Sequence, residues 1–153
     1  MKGPRGRELY QGESITIFPA TTTAGAVTAT NGTAVYIGGE RGRFVFLLAV
    51  TAAATDAADT LDVYMDWSFD DSTYINGGHF TQVLGNGGAK SFYMIFDPSA
   101  PGTSVIDATS DASSGAVRPA LFAPYVRGRY VIVDADADSA FTFSVTGYAI
   151  SHY

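Results

Sequence analysis

Three carboxylates at alternate positions, Asp134, Asp136 and Asp138, have the one-three-five spacing with which calcium loops begin. Such a loop also needs a glycine at its sixth position and a bidentate glutamate at its twelfth. Here those positions are Ser139 and Val145. The run is therefore expected to be a hydrated strand end, with no metal. A second set, Asp62, Asp66 and Asp70, is evenly spaced along residues 60–70. Glycosidases use a carboxylate pair that flanks a sugar, but four residues of strand separate side chains by about 13 Å. One strand cannot supply such a pair, and the expectation is an exposed face kept soluble. His79 and His152 are the two histidines, and neither has a G-x-S-x-G context beside it. A hydrolase built on the aspartates and His79 is accordingly the third of three readings. Gly85, Asn86, Gly87 and Gly88 precede a strand pattern and not a helix, so they form a turn and no phosphate cradle. With no cysteine in the chain, zinc fingers, disulfide frameworks and thiol nucleophiles are excluded. No cofactor is expected.

The elements that must position these groups are strands. Leu61, Val63, Met65, Trp67 and Phe69 alternate with Asp62, Tyr64, Asp66, Ser68 and Asp70. Period-two alternation of this kind predicts a strand with one face in a core and one in water. Asp70, Asp71 and Ser72 stop it, and residues 74–83 run back as the second arm of a hairpin. Residues 13–18 predict a first strand ended by Pro19. Asn31-Gly32 predicts a turn, with a strand over 33–37. Residues 43–51, nearly all apolar, suit a strand covered on both faces. Further strands are expected over 89–96, 129–134 and 140–149, with a long surface loop over 99–114 and an irregular stretch over 117–126. About eight strands with turn signals every 8–12 residues indicate an all-β fold, an antiparallel β-sandwich of jelly-roll type.

Composition narrows the function. The 153 residues are 46% apolar, enough for one full core, but only 16% charged, against a usual value of about 25%. Low charge suits a protein packed against neighbours. A formal net charge of −6 disfavours a phosphate backbone as partner, so no nucleic acid is expected. No apolar run approaches the ~20 residues that a bilayer crossing needs, so no membrane is expected either. The amino-terminal residues lack the apolar stretch of a secretory signal. Residues 1–12 carry Lys2, Arg5 and Arg7 among glycines and a proline and read as an extended arm; residues 13–153 form a single domain. Tyr64 and Tyr148 fall on the polar side of their strands, where a rigid ring with a polar tip makes each a candidate for an oligomer interface.

The hairpin TLDVYMDWSFDDSTYINGGHFTQVLG, followed by RGRYVIVDADADSAFTFSVTGYA near the carboxyl end, resembles a group of small tailed-bacteriophage virion proteins. The matching pieces are residues 60–72, 80–83, 129–133 and 139–145; Tyr74 stands where that group often has Trp, and Ile132 where it often has a basic residue. The resemblance implies a head-associated structural role on the outer surface of the capsid, cementing or decorating it, with the major capsid protein as partner. A homo-oligomer, a trimer at three-fold positions, would do this without enzymatic chemistry. The arm residues Lys2, Arg5 and Arg7 would reach across a neighbouring subunit. The alternative is a neck, tail, receptor-binding or carbohydrate-binding β-sandwich module that uses exposed aromatics.

Overall fold

A computed structural model of the chain describes residues 13–37, 43–53, 56–97, 105–118, 123–136 and 140–150. Among these residues ten strands form: β1 (Ser14–Ala24), β2 (Val27–Asn31), β3 (Val35–Tyr36), β4 (Arg43–Ala52), β5 (Thr60–Ser68), β6 (Tyr74–His79), β7 (Val83–Leu84), β8 (Lys90–Phe96), β9 (Tyr125–Val133) and β10 (Ala140–Ile150). One sheet runs β1-β10-β4-β8 and the other β2-β9-β5-β6, with the two-residue strands β3 and β7 adding to β9 and β5. Eight full strands thus alternate between two antiparallel sheets, early strands interleaved with late ones, which is the strand order of a jelly roll. The expected arm, with Lys2, Arg5 and Arg7, lies outside the described residues.

Alternation along each strand builds the core. Leu61, Val63, Met65 and Trp67 of β5 meet Phe44, Phe46, Leu48 and Val50 of β4 and Phe141, Phe143 and Val145 of β10, all at most 2% exposed. Trp67 stands edge-on to Phe44, Phe46 and Phe96, with ring centroids 6.5, 6.1 and 5.0 Å away. Phe18, Tyr130 and Phe143 form a second edge-to-face cluster. Each such side chain removed from water contributes roughly 1.5–3 kcal/mol, and edge-to-face pairs add to that through their quadrupoles.

Several local expectations are corrected. Pro19 does not end β1, which runs on to Ala24. β1 pairs only with β10, and its register shifts on both sides of Phe18, so an edge strand tolerates the missing N–H within an irregular stretch. The strand expected over 33–37 after Asn31-Gly32 shrinks to Val35–Tyr36: β2 and β3 both pair with β9, and Gly32 N donates to Gly128 O at 2.8 Å. Phe69 is not inward-facing; β5 stops at Ser68 and Phe69 is 63% exposed. β9 begins at Tyr125, inside the stretch expected to be irregular. β4 is buried on its inner face only; Val45, Leu47 and Ala49 on the other face are half-buried.

Gly128 illustrates how tightly the layers meet. A Cβ there would lie 2.3 Å from the Phe18 ring and 2.9 Å from Ile17, so the aromatic wedge of β1 depends on a bare backbone in β9. Gly128→Ala is expected to cost about 1–3 kcal/mol through overpacking, lowering Tm by several degrees. Thermal unfolding followed by circular dichroism checks this; an unchanged Tm would mean that Phe18 moves aside freely.

Candidate functional site

The outward side chains of β5, β6 and β9 lie in rows set by strand register. His79, Tyr64 and Arg129 form one row, and Asn76, Asp66 and Arg127 the next. This face is not the solvated surface expected for Asp62 and Asp66: they are only 7% and 3% exposed. Their cover includes the segment 105–118, of which 105–114 is the described part of the expected surface loop. It is pinned to β6 through His79 N to Ala116 O, Arg118 N to Gly77 O and a β-bridge between Gly78 and Val117. Asp70 alone of the three keeps an exposed position, where its carboxylate accepts from Ser72 N and Thr73 N and organises the hairpin turn.

A buried carboxylate needs partners, and both aspartates have them. Asp62 Oδ1 lies 2.8 Å from His79 Nε2, and Gln82 Nε2 donates to Oδ1 at 3.1 Å and Oδ2 at 2.9 Å. Burial pushes the Asp62 carboxyl up, but the bonds to His79 and Gln82 and the His79 charge outweigh it and leave it below the usual range. Asp66 accepts from Arg129 Nε at 2.9 Å and from Asn76 Nδ2 at 3.0 Å. Arg129 also grips Asp111 of the covering segment. Burial works against the Arg129 charge, yet hydrogen bonds to Asp66 and Asp111 raise its pKa and keep it a cation. Arg118 ties Asn76 O to Ser110 O, and Asn76 Oδ1 accepts from Ala112 N at 2.8 Å.

The tyrosines are drawn into the same network. Tyr64 stacks on His79 with ring centroids 4.1 Å apart, and the Arg129 guanidinium sits 4.1 Å from its ring centre. Desolvation and then the nearby Asp62 charge raise its phenol pKa. The ring contacts of this interface candidate are therefore made within its own chain. Arg127 lies 3.6 Å over the Tyr74 ring, and Tyr74 is pushed up to about 12 by burial, by the hydrogen bond it donates to Asp71 and by the charge of Asp71.

An Asp–His pair invites a catalytic reading, but the other ring nitrogen of His79 faces the Ala112 carbonyl at 3.2 Å. In a triad that position belongs to a nucleophile's hydroxyl. Both partners of the ring are acceptors, and the pair serves to clamp the covering segment onto β6. Beside it, Asp66, Tyr74, Asn76, Asp111, Arg127 and Arg129 help line a cleft of about 400 Å³.

The opposite surface has a different chemistry. On the outer face of the β1-β10-β4-β8 sheet, Tyr148, Val45 and Ile95 share a row across three strands, followed by Thr146, Leu47 and Tyr93 and then Ser144, Ala49 and Ser91. Tyr93 is 70% and Ile95 46% exposed. None of these nine positions is charged. Tyr148 thus stands, half-buried, in a neutral and largely apolar field. Asp134 and Asp136 lie in the turn after β9, beside Asp59 at the entry to β5. Asp138 and His152 lie outside the described residues. No protein-family model matches the chain, and no curated protein matches it.

The residues missed from sequence are Asn76, Gln82, Asp111, Arg118, Arg127, Arg129 and Asp59. The available signal was the alternation of Arg127 and Arg129 with apolar residues, which complements Asp62 and Asp66 only once β5 and β9 are known to pair. The folded pKa of Asp62 lies below its unfolded value, so its contribution is complete above about pH 4 and is lost as pH falls through the lower folded value. Asp62→Asn is expected to cost about 1–3 kcal/mol at neutral pH, with the difference from the native chain shrinking below about pH 4. Urea unfolding at a series of pH values measures this. A pH-independent difference would remove the ionised carboxylate from the account.

Proposed function

We propose that this chain is a non-enzymatic structural protein of a tailed-phage virion, which decorates the outer surface of the capsid and cements neighbouring major capsid subunits. The observation that carries the reading is the outer face of the four-stranded sheet, where Tyr93 and Ile95 are exposed. Its central strand β4 has the continuous apolar composition of a strand covered on both sides, yet no described residue covers Val45, Leu47, Tyr93 and Ile95 from outside. A second copy of the chain, in a trimer, is the proposed cover; a standard interface removes about 800 Å² per partner from water. The low charge of the chain and the resemblance of its hairpins to small phage virion proteins support the same reading. The polar network serves this role by rigidity: with its buried charges paired, the face under segment 105–118 is stiff and resists shear. Jelly rolls host many functions, so the fold by itself does not choose among them. The arm residues Lys2, Arg5 and Arg7 are proposed to reach the neighbouring capsid subunit, at an ordering cost of roughly 1–2 kcal/mol per residue that only a receiving surface offsets.

A second reading, a carbohydrate-binding module, is favoured by the cleft beside Tyr74, which pairs an aromatic face with Asn, Asp and Arg side chains. It predicts glycan-array binding that Tyr74→Ala abolishes, whereas the cement reading predicts none.

Tyr93 is exposed, so Tyr93→Glu should leave the fold intact and place a charge in the proposed contact. The native chain is expected to sediment as a trimer and to bind capsids, and Tyr93→Glu to sediment as a monomer with at least ten-fold weaker capsid binding. A native chain that stays monomeric at high concentration and leaves expanded capsids bare would overturn the proposal. Removal of residues 1–12 is expected to reduce capsid occupancy without altering the oligomer; undiminished occupancy would retire the role of the arm.

A further inference from the structure

One carboxylate oxygen from each of Asp59, Asp134 and Asp136 lies within 4.8 Å of those of the other two. Acidic clusters on surfaces are common, but this one has a buried member. Asp59 is 0% exposed; its Oδ1 accepts from Ala135 N at 2.9 Å, while its Oδ2, also buried, has no hydrogen-bond partner. A buried carboxylate oxygen without a donor is costly in any folded chain. Asp59 stands in a group of three acids, and no ion pair is made to it by any described lysine or arginine. A cation bound through that oxygen, with Asp134 and Asp136 as further ligands, would satisfy it and cancel the mutual repulsion of the three.

We propose that Asp59, Asp134 and Asp136 form a calcium site that locks the β4–β5 connection to the β9–β10 turn. The donor set is all oxygen, which suits hard cations and disfavours zinc or copper. Two oxygens bound to one Ca²⁺, each ~2.3–2.6 Å from it, stand at most about 5 Å apart, a bound that every pair here meets. Calcium accepts irregular sets of 6–8 oxygens, so water and backbone carbonyls complete the sphere; magnesium demands a near-ideal octahedron and sheds its water reluctantly. The ion would also steady a third segment, because Asp59 O accepts from Gly85 N at 2.8 Å in the turn that follows β7. Three connections at one end of the sandwich would then share one cross-link. The arrangement is not the consecutive loop that the spacing of Asp134, Asp136 and Asp138 suggests; its buried ligand comes from a distant part of the chain.

The full-length protein, stripped with EDTA and dialysed, is titrated with CaCl₂ and separately with MgCl₂ by calorimetry, and its thermal unfolding is followed at each concentration. One saturable calcium site per chain is expected, with magnesium at least ten-fold weaker. At a calcium concentration about 100 times Kd, Tm should rise by roughly 5–10 °C. Asp136→Ala changes an exposed side chain and should fold normally while binding calcium at least ten-fold more weakly. Asp59→Asn should lose the calcium response and, in EDTA, unfold no earlier than the native chain, because a repulsive charge has gone. A proton shared between two of the carboxylates would relieve the same repulsion, and it predicts no calcium response. Absence of heat and of any Tm shift at about 10 mM calcium, ten times the weak end of calcium modules, would overturn the proposal. So would an Asp136→Ala variant that binds as tightly as the native chain.

Discussion

The register of β5 governs both faces of the sheet it crosses. Its even and odd residues point to opposite sides, so the pairing that delivers Leu61, Val63, Met65 and Trp67 to the core also delivers Asp62, Tyr64, Asp66 and Ser68 to the outer face. A slip of one residue would carry two carboxylates into the hydrocarbon interior and four apolar side chains out of it. Few errors in strand pairing are so heavily penalised. The irregularity between Met65 and Asp66, where Gly77 forms the extra residue on β6, lets Asn76 come opposite Asp66 while His79 stays opposite Tyr64. A side chain at Gly77 would strike the Trp67 ring, so the bulge and the core are fitted to one another.

From that register follows the division of labour between the two outer surfaces. The outer face of β5, β6 and β9 is polar and largely covered: its aspartates and arginines are paired, packed under segment 105–118 and braced by cation–π and ring stacking. On the outer face of β10, β4 and β8, the nine positions in the rows of Tyr148, Thr146 and Ser144 carry no charge, and Tyr93 and Ile95 are exposed. Separating the partners of a buried ion pair is costly because it leaves an uncompensated charge. Here such pairs hold a long connection in one place, which leaves the opposite sheet as the surface with apolar area to offer. That asymmetry is what the cement reading rests on.

Acidic groups have three different fates in this molecule, and the surroundings decide each. Asp70 at a turn is hydrated and orders backbone N–H groups; Asp62 and Asp66 are buried and paired; Asp59 is buried with one oxygen lacking a donor. Residue type is the same throughout. The difference comes from which segment passes over each carboxylate and what that segment carries.

Strand-scale features were legible in the sequence because they are short-range. The strands expected over 60–70, 89–96 and 140–149 lie within a residue or two of β5, β8 and β10, and the count of eight with frequent turns led to the jelly roll. What alternation cannot say is whether the side turned away from the core meets water or another part of the chain. Asp62 and Asp66 therefore read as solvated, although a loop some forty residues downstream covers them. The continuous apolar run of β4 read as covered on both faces, although the described chain covers one. Pro19 carried a strong local signal that an edge position overrode. Local sequence determined where strands run and which way each side chain points, since backbone geometry sets a period of two. Only the tertiary structure decided which carboxylates meet a cation, a histidine or one another, because those meetings join residues brought together by strand pairing and loop placement.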